Sequence, residues 1–360
     1  MLKKFLAIIV LAGVSYANAQ DSASVSTPLE ISGSVDAYYK YDFSKVPNIP
    51  TSFATDQNSV SIGMIDVMLK KTTGKASFVG EVSFGPRGQA QSIPDQAFSA
   101  ALDEDNEVLG LGSSSFHVQN LYATYAFTEK FSMTAGYMGT FVGYEVISPV
   151  ANFNYSTSYL FTNGPFQNAG IKANLALSDK VGVMVGMFNN TWNTYIANPR
   201  SGVSTFGAQL SLSPVEGWSA YLNLLTGYDS GTILDLTTSY QITDKFKLGL
   251  NAADWSAGMG AKDEGYTGVA LYPSVAVTSG LALGVRGEYF KAKKNGGVAA
   301  GPDAGESVTS LTFSGNLKSG GLTFIPEFRV DNGSVKSFMK ENGNDTKSAS
   351  QFSLAVVYAF

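Results

Sequence analysis

The chain has 360 residues, no cysteine and one histidine, so disulfides, thiolate nucleophiles and cysteine-ligated metals are excluded, and histidine chemistry would have to use His117. Its 24 basic and 29 acidic residues give a formal net charge of −5, which does not indicate a nucleic-acid partner. Glycine (38), phenylalanine (23) and tyrosine (18) are abundant, whereas charged residues make up only 15% of the chain.

The first twenty residues, MLKKFLAIIVLAGVSYANAQ, have the three parts of a secretory signal peptide. Two lysines precede an apolar run at 5–14, and the Ala-Asn-Ala sequence at 17–19 is a small-x-small cleavage pattern. The run is too short to span a bilayer permanently, although a membrane anchor is the alternative interpretation. We therefore expect residues 1–19 to be removed and residues 20–360 to form a single exported domain.

The rest of the chain consists of strand-like segments, and none of them has a helical period. No apolar run after the signal peptide approaches the roughly 20 residues of a membrane-spanning helix. Sixteen segments are predicted, and most have close to the roughly 9–11 residues with which a tilted strand crosses a bilayer. They are 29–41, 58–70, 75–85, 115–126, 130–138, 166–177, 180–189, 202–213, 217–226, 232–242, 245–254, 266–278, 281–291, 306–317, 321–330 and 350–360.

The connections alternate between short and long. The short ones are TTGK, TEK, LSDK, SPVEG, ITDK, VTSG and LKSGG, which have the composition of tight hairpin turns. The others are mostly longer: 42–57, 86–114, 139–165, 190–201, 227–231, 255–265, 292–305 and 331–349. This alternation puts all short turns at one end, which is typical of a transmembrane antiparallel up-and-down β-barrel with short periplasmic turns and long external loops. A soluble all-β fold, the alternative, gives no reason for it.

Each strand has one apolar and one polar face. In LTFIPEFRV, for example, Phe324 and Phe328 alternate with Glu327 and Arg329. Backbone groups in hydrocarbon must all be paired, so the sheet has to close. We expect the last segment, QFSLAVVYAF, to pair with the first, both termini to be periplasmic, and Phe360 to lie in an aromatic girdle.

A barrel of sixteen strands is wide enough to leave an aqueous channel. Charge on the lipid face is costly, so we assign the charged residues opposite the apolar faces to the channel wall. Six are acidic and six are basic, which predicts weak discrimination by net charge. They are Asp36, Lys40, Asp66, Lys70, Glu81, Lys172, Asp235, Lys247, Arg286, Glu288, Glu327 and Arg329.

Two connections are long enough to enter the lumen. Segment 86–114 is acidic and rich in glycine and serine, which indicates an exposed loop. Segment 139–165 is rich in aromatic residues, asparagine, serine and threonine, and we predict that it folds inward, because at the rim its apolar side chains would face water. A lid on neighbouring loops or a subunit contact is the alternative. The proposed constriction residues are Glu145, Asn152, Asn154, Tyr155 and Tyr159, with the polar side chains facing the channel and Glu145 near a base such as Lys172.

The stretch YEVISPVANFNYSTSYLFTNGPFQNAGIKA, residues 144–173, together with the signal peptide, the strand meander and the terminal Phe, resembles the OmpL-like β-barrel porin family of Gram-negative outer membranes. The resemblance implies an outer-membrane porin and carries over no catalytic residue. The terminal aromatic is also similar to the signal that the barrel assembly machinery reads. The family resemblance leaves the solute unspecified.

Enzymatic and metal-binding interpretations have weak support. His117 is near Ser113, Ser114 and Ser115, but serine is common in loops and a lone histidine is usually structural. The acidic run at 103–107 could bind a divalent cation, although solvated loop acids are the simpler interpretation. We therefore predict no enzyme activity, no cofactor and no metal.

Two functions remain. One is a porin for passive diffusion of small hydrophilic solutes through the cell outer membrane. The other is a structural or adhesive barrel whose external loops bind partners. The expected partners are outer-membrane lipid and lipopolysaccharide, small hydrophilic solutes, the barrel assembly machinery and, in a homotrimer, further copies of the chain.

Overall fold

A computed structural model describes residues 26–89 and 116–360. In these residues sixteen antiparallel strands form a closed barrel in which each strand pairs with its neighbours along the chain. The strands are β1 Glu30–Asp42, β2 Ser59–Thr73, β3 Ala76–Phe84, β4 Phe116–Ala126, β5 Phe131–Gly139, β6 Gln167–Ser178, β7 Val181–Asn189, β8 Val203–Leu212, β9 Trp218–Gly227, β10 Gly231–Gln241, β11 Phe246–Ser256, β12 Gly265–Ala276, β13 Leu281–Ala292, β14 Ser307–Ser319, β15 Leu322–Gly333 and β16 Ser348–Ala359.

The barrel is closed by β16, which pairs with both β15 and β1. Tyr39 lies opposite Leu354, and the backbone amide of Phe360 donates to the carbonyl of Gly33. Each of the sixteen predicted segments corresponds to one strand, with ends that differ by no more than three residues. The predicted sixteen-stranded fold is therefore confirmed.

The little helix that the described residues contain lies in the connections. Helix α1 (Pro86–Gln89) follows β3, and a 3₁₀ turn (Pro149–Ala151) and helix α2 (Tyr159–Asn163) lie between β5 and β6. A small hairpin, Phe338–Met339 with Asp345–Thr346, extends the connection before β16. No described helix is long and apolar enough to cross a bilayer.

The connections separate by length, as the sequence predicts. At one end of the barrel, the short-turn end, the turns are short, like residues 74–75 between β2 and β3. At the other, the long-loop end, the connections are mostly longer, and the segment 140–166 between β5 and β6 is one of the longest. The first residues of β1 and the last residues of β16 lie at the short-turn end.

The outer surface is apolar and the interior is polar. On β16, Phe352, Leu354 and Tyr358 point outward and are exposed, whereas Gln351 and Ser353 point inward and are buried. Exposed apolar side chains around a closed sheet match a hydrocarbon surrounding. An apolar core also exists inside the barrel, where Tyr159 and Leu160 pack against residues of β7 to β14 such as Phe188, Tyr266 and Phe290.

Candidate functional site

The segment 140–166, called the inserted loop below, lies inside the barrel. It leaves β5 at the long-loop end, and its residues 154–161 are buried against the inner faces of distant strands. Backbone amides and carbonyls inside a barrel need hydrogen-bond partners. The charged residues of the wall supply them.

Three acidic wall residues accept hydrogen bonds from backbone amides of the inserted loop. Glu288 on β13 accepts from the amides of Tyr159 (3.0 Å) and Leu160 (2.9 Å). Glu327 on β15 accepts from the amides that follow Asn154, at 2.9 and 3.2 Å. Asp235 on β10 accepts from the amide of Gly143 over 3.0 Å. These charge-assisted bonds fasten both halves of the loop to the far wall.

Two arginines bind the loop from the same wall. Arg286 on β13 donates to Glu145 Oε1 over 2.7 Å and to the carbonyl of Ser156 over 2.6 Å. Arg329 on β15 donates to the carbonyl of Thr157 over 2.8 Å and pairs with Asp331 over 2.8 and 2.9 Å. Both guanidinium groups are completely buried, so their charges are matched by loop and wall groups rather than by water.

Tyrosines of the loop add hydroxyl contacts. Tyr155 donates to Asp36 on β1 over 2.5 Å, and Tyr159 donates to Asp331 over 2.8 Å. Burial raises the pKa of both phenols well above its usual value. Tyr144 stacks on Tyr272 with ring centroids 4.4 Å apart, and burial raises the pKa of Tyr144 to about 12. All three phenols are therefore neutral at ordinary pH.

A third arginine, from the connection after β3, also contacts the loop. The guanidinium of Arg87 lies 4.5 Å from the ring centre of Phe53 and 4.6 Å from that of Tyr155. Its Nε is 3.5 Å from an Asp36 carboxylate oxygen, and its side chain donates to the carbonyl of Ile147 over 3.3 Å. Arg87 therefore joins the connection after β3 to β1, to the connection after β1 and to the inserted loop.

The wall also has glycines where the loop side chains press against it. A Cβ at Gly207 or Gly268 would lie 2.7 and 2.8 Å from atoms of Phe141 and Leu160. The same Cβ would overlap with Tyr144 at Gly249 and with Phe153 at Gly284. Glycine in a strand interior commonly marks such a close approach. We call these four positions the wall notches: Gly207, Gly249, Gly268 and Gly284.

All twelve residues assigned to the channel wall lie on the inward face, but they differ in exposure. Nine are buried: Asp36, Lys40, Asp66, Glu81, Asp235, Arg286, Glu288, Glu327 and Arg329. Among these, Glu81 accepts from Asn120 and Asp66 from Ser34, whereas the Lys40 ammonium has no hydrogen bond among the described residues. Lys70, Lys172 and Lys247 are half-exposed, and Lys70 pairs with Glu30 over 3.7 Å.

The constriction residues are arranged differently from the expectation. Glu145, Asn154, Tyr155 and Tyr159 are buried against the wall, and half-buried Asn152 bonds to the backbone of Val146 within the loop. The exposed surface of this part of the loop is mainly apolar, with Val146 at 43% and Val150 at 51%. The expectation that its polar side chains face the channel is wrong, because they bond to polar groups of the wall or within the loop itself. Glu145 pairs with Arg286 and not with Lys172.

Sequence reasoning missed several residues that hold the loop. Asp331 keeps the alternation of Glu327 and Arg329, but the predicted strand ends at residue 330. Arg87 falls in a segment interpreted as exposed. His117 is buried opposite Ser83, whereas Ser113 to Ser115 and the acidic residues Asp103, Glu104, Asp105 and Glu107 lie outside the described residues.

The comparisons with known proteins agree with this architecture. The family model described as "Putative beta-barrel porin-2, OmpL-like" matches residues 28–360. No curated protein matches the chain significantly.

Solved structures of similar fold include an anion-selective porin and an outer membrane protein. An anion-selective porin from Comamonas acidovorans superposes with a TM-score of 0.61 at 12% identity, covering 93% of this chain and 100% of that chain. OprB of Pseudomonas putida gives 0.60 at 12% identity and 92% and 94% coverage. OmpT of Vibrio cholerae, in a trimer form, gives 0.56 at 12% identity and 94% and 100% coverage. Identities this low show the fold alone. The family match along residues 28–360 shows that the chain belongs to the OmpL-like β-barrel porin family of the outer membrane.

Proposed function

We propose that this barrel is a water-filled channel through which small hydrophilic solutes diffuse passively, and that the inserted loop sets its narrowest section. The observation that carries the proposal is the attachment of the loop to β1, β10, β13 and β15, inside a barrel wide enough to conduct. Toward the short-turn end, half-exposed Lys172, Asn174, Tyr221 and Lys247 keep the inner face polar. A purely structural barrel has no need for such a wall.

Single-channel recording in planar bilayers tests this function. Deleting residues 148–151 removes the 3₁₀ turn and exposed Val150 but leaves the anchors Glu145 and Tyr155 in place. We expect higher conductance than the intact protein shows, because the loop then occupies less of the lumen. Heat-dependent gel mobility would verify that the variant is folded. If a folded variant has the same conductance as the intact protein, the loop does not set the narrowest section of the channel.

The absence of conductance in the intact, folded protein would instead favour the structural or adhesive barrel. In that case the external loops would be the working surface. The adhesion that these loops provide would then be measured by the binding of the purified barrel to cell surfaces, with and without the loops.

We also propose how the protein reaches the outer membrane and what it contacts there. Export by a signal peptide, insertion by the barrel assembly machinery and contact with lipid and lipopolysaccharide follow from an outer-membrane barrel with an apolar outer surface. The OmpT structure in its trimer form supports a homotrimer. Cross-linking in outer membranes would give a ladder ending at three chains if the trimer forms.

A further inference from the structure

A cavity of about 750 Å³ lies at the long-loop end of the barrel, next to the last residues of the inserted loop. Its wall combines the connection after β1, the end of the inserted loop, the connection after β7 and residues 297–300. The inserted loop contributes Asn163 and Phe166, so the cavity adjoins the loop that sets the proposed constriction.

Two of the three tryptophans of the chain line this cavity. The rings of Trp192 and Trp255 have centroids 5.7 Å apart at an interplanar angle of 64°, and both are half-buried. Trp255 Nε1 donates to the carbonyl of Ser230 over 3.1 Å, which fixes that ring. Half-buried indoles offer flat apolar faces next to polar edges.

The cavity wall also has polar groups available to a ligand. Asn193 Oδ1 accepts from the amides of Phe166 (2.9 Å) and Gln167 (3.1 Å), while Asn193 Nδ2 has no acceptor among the described residues. Trp192 Nε1 likewise has no acceptor within residues 26–89 and 116–360. The exposed carboxylate of Asp56 uses Oδ2 for the Tyr38 hydroxyl, at 3.0 Å, and keeps its other oxygen for further bonds.

One backbone position of this wall is strained. Phe53 has a φ of 85°, in the left-handed region that is unfavourable for a bulky side chain, whereas Asn193 has a φ of 58°, which asparagine tolerates. Residues in such conformations persist where the surrounding structure imposes them, and they concentrate at ligand sites.

From these features we propose that the cavity binds neutral sugars before they pass the constriction. Asp56 is the single charged residue among the described residues of its lining, so the other contacts that the lining offers a ligand are neutral. The lining therefore selects for a neutral ligand that has both an apolar C–H face for an indole and hydroxyl groups for amide and carboxylate partners. Pyranose rings have this combination. The inference rests on the proposed channel, because it names the solute class.

Tryptophan fluorescence reads this binding without any ion current. Trp218 is the third tryptophan and lies at the short-turn end on the outer surface, so W218F removes a background signal. We expect maltose to change the fluorescence of W218F saturably. The matched control, W192F/W255F, retains only Trp218 and should not respond.

A further variant, N193D, keeps the oxygen that accepts from Phe166 and Gln167 but loses the free amide donors. In the W218F background it should weaken maltose binding about 2- to 10-fold, as expected for one neutral hydrogen bond. Choline chloride serves as a cationic probe, and a saturable response to choline instead of maltose would overturn the sugar assignment.

The outcomes separate the two proposals. Conductance without saturable maltose binding overturns the sugar site and leaves the channel standing. Maltose binding without conductance supports the site and overturns the channel. An equal response in W192F/W255F would mean that maltose does not act at this cavity.

Discussion

Arg286 and Glu145 form a 2.7 Å ion pair in which the guanidinium is completely buried and the carboxylate is nearly so. Arg286 belongs to the barrel wall and Glu145 to the inserted loop, so the pair couples the stability of the wall to the position of the loop. Glu145 also accepts from the amide and the hydroxyl of Ser158. The pair thus fixes two parts of the inserted loop, one at Glu145 and one at Ser158.

Breaking this pair should be costly. R286M leaves the Glu145 carboxylate buried without its cation, and we expect a loss of about 3–5 kcal/mol in the free energy of unfolding. R286M/E145L removes both charges, so its loss should be clearly smaller than the sum of the two single changes. Urea unfolding in detergent measures all four proteins. Strict additivity would show that the two charges do not interact.

The wall notches predict a contrast within one strand. A methyl group at Gly284 would overlap with Phe153, whereas one at Gly287 would have its nearest neighbour, a Leu311 methyl carbon, at 3.9 Å. G284A should therefore lower the free energy of unfolding by about 1–3 kcal/mol, as overpacking does. G287A should stay within about 0.5 kcal/mol of the native protein. Equal effects of the two changes would contradict the placement of Phe153.

The unequal exposure of the wall charges predicts a weak preference for anions. Most of the acidic wall residues are buried and bonded, while Lys172 and Lys247 are half-exposed on the inner face. Reversal potentials across a potassium chloride gradient should show chloride passing somewhat more easily than potassium. K172Q/K247Q should shift the ratio toward potassium. K71Q changes an outward-facing lysine and should leave it unaltered.

Alkaline pH should loosen the inserted loop in a defined window. Burial raises the pKa of Tyr144 from 10.0 to about 12, so the folded state favours the neutral phenol. This contribution is fully present below pH 10 and is lost as the pH rises toward 12. Y144F cannot ionise and should be less sensitive than the native protein in that window, as measured by unfolding midpoints at stepped pH. Identical pH profiles would mean that Tyr144 is accessible to water.

Export predicts the first residue of the mature protein. Residues 1–25 lie outside the described part of the chain, so the expectation rests on the signal-peptide pattern alone. Mass spectrometry of protein from outer membranes should show Gln20 as the first residue. An intact segment 5–14 would indicate a membrane anchor.

The strands could be predicted because each repeats one simple pattern. A strand between lipid and a polar interior alternates with a period of two, and a one-residue error would invert its faces. Therefore the inward positions of Asp36, Glu288 and Arg329 follow from their immediate neighbours in sequence. Nothing beyond local pattern was needed for the sixteen strands or for the closure of β16 on β1.

The arrangement of the inserted loop could not be predicted in the same way. Its composition indicated that it enters the barrel, but its partners are set by the shape of the opposite wall. Glu145 pairs with Arg286 rather than Lys172 because the loop crosses to β13, where Gly284 leaves room for Phe153. Such a match joins residues far apart in sequence, and no local pattern encodes it.

The reach of the inserted loop has a consequence for the order of assembly. Its partners on β13 and β15 lie far along the chain: Glu288 is 129 residues from Tyr159, and Glu327 is 172 residues from Tyr155. The loop is synthesised well before these strands, so it has no final place until the second half of the sheet has formed. Long-range contacts of this kind form late. Seating of the loop is therefore a closing event of folding, and a barrel halted before β13 would leave its aromatic side chains without a wall.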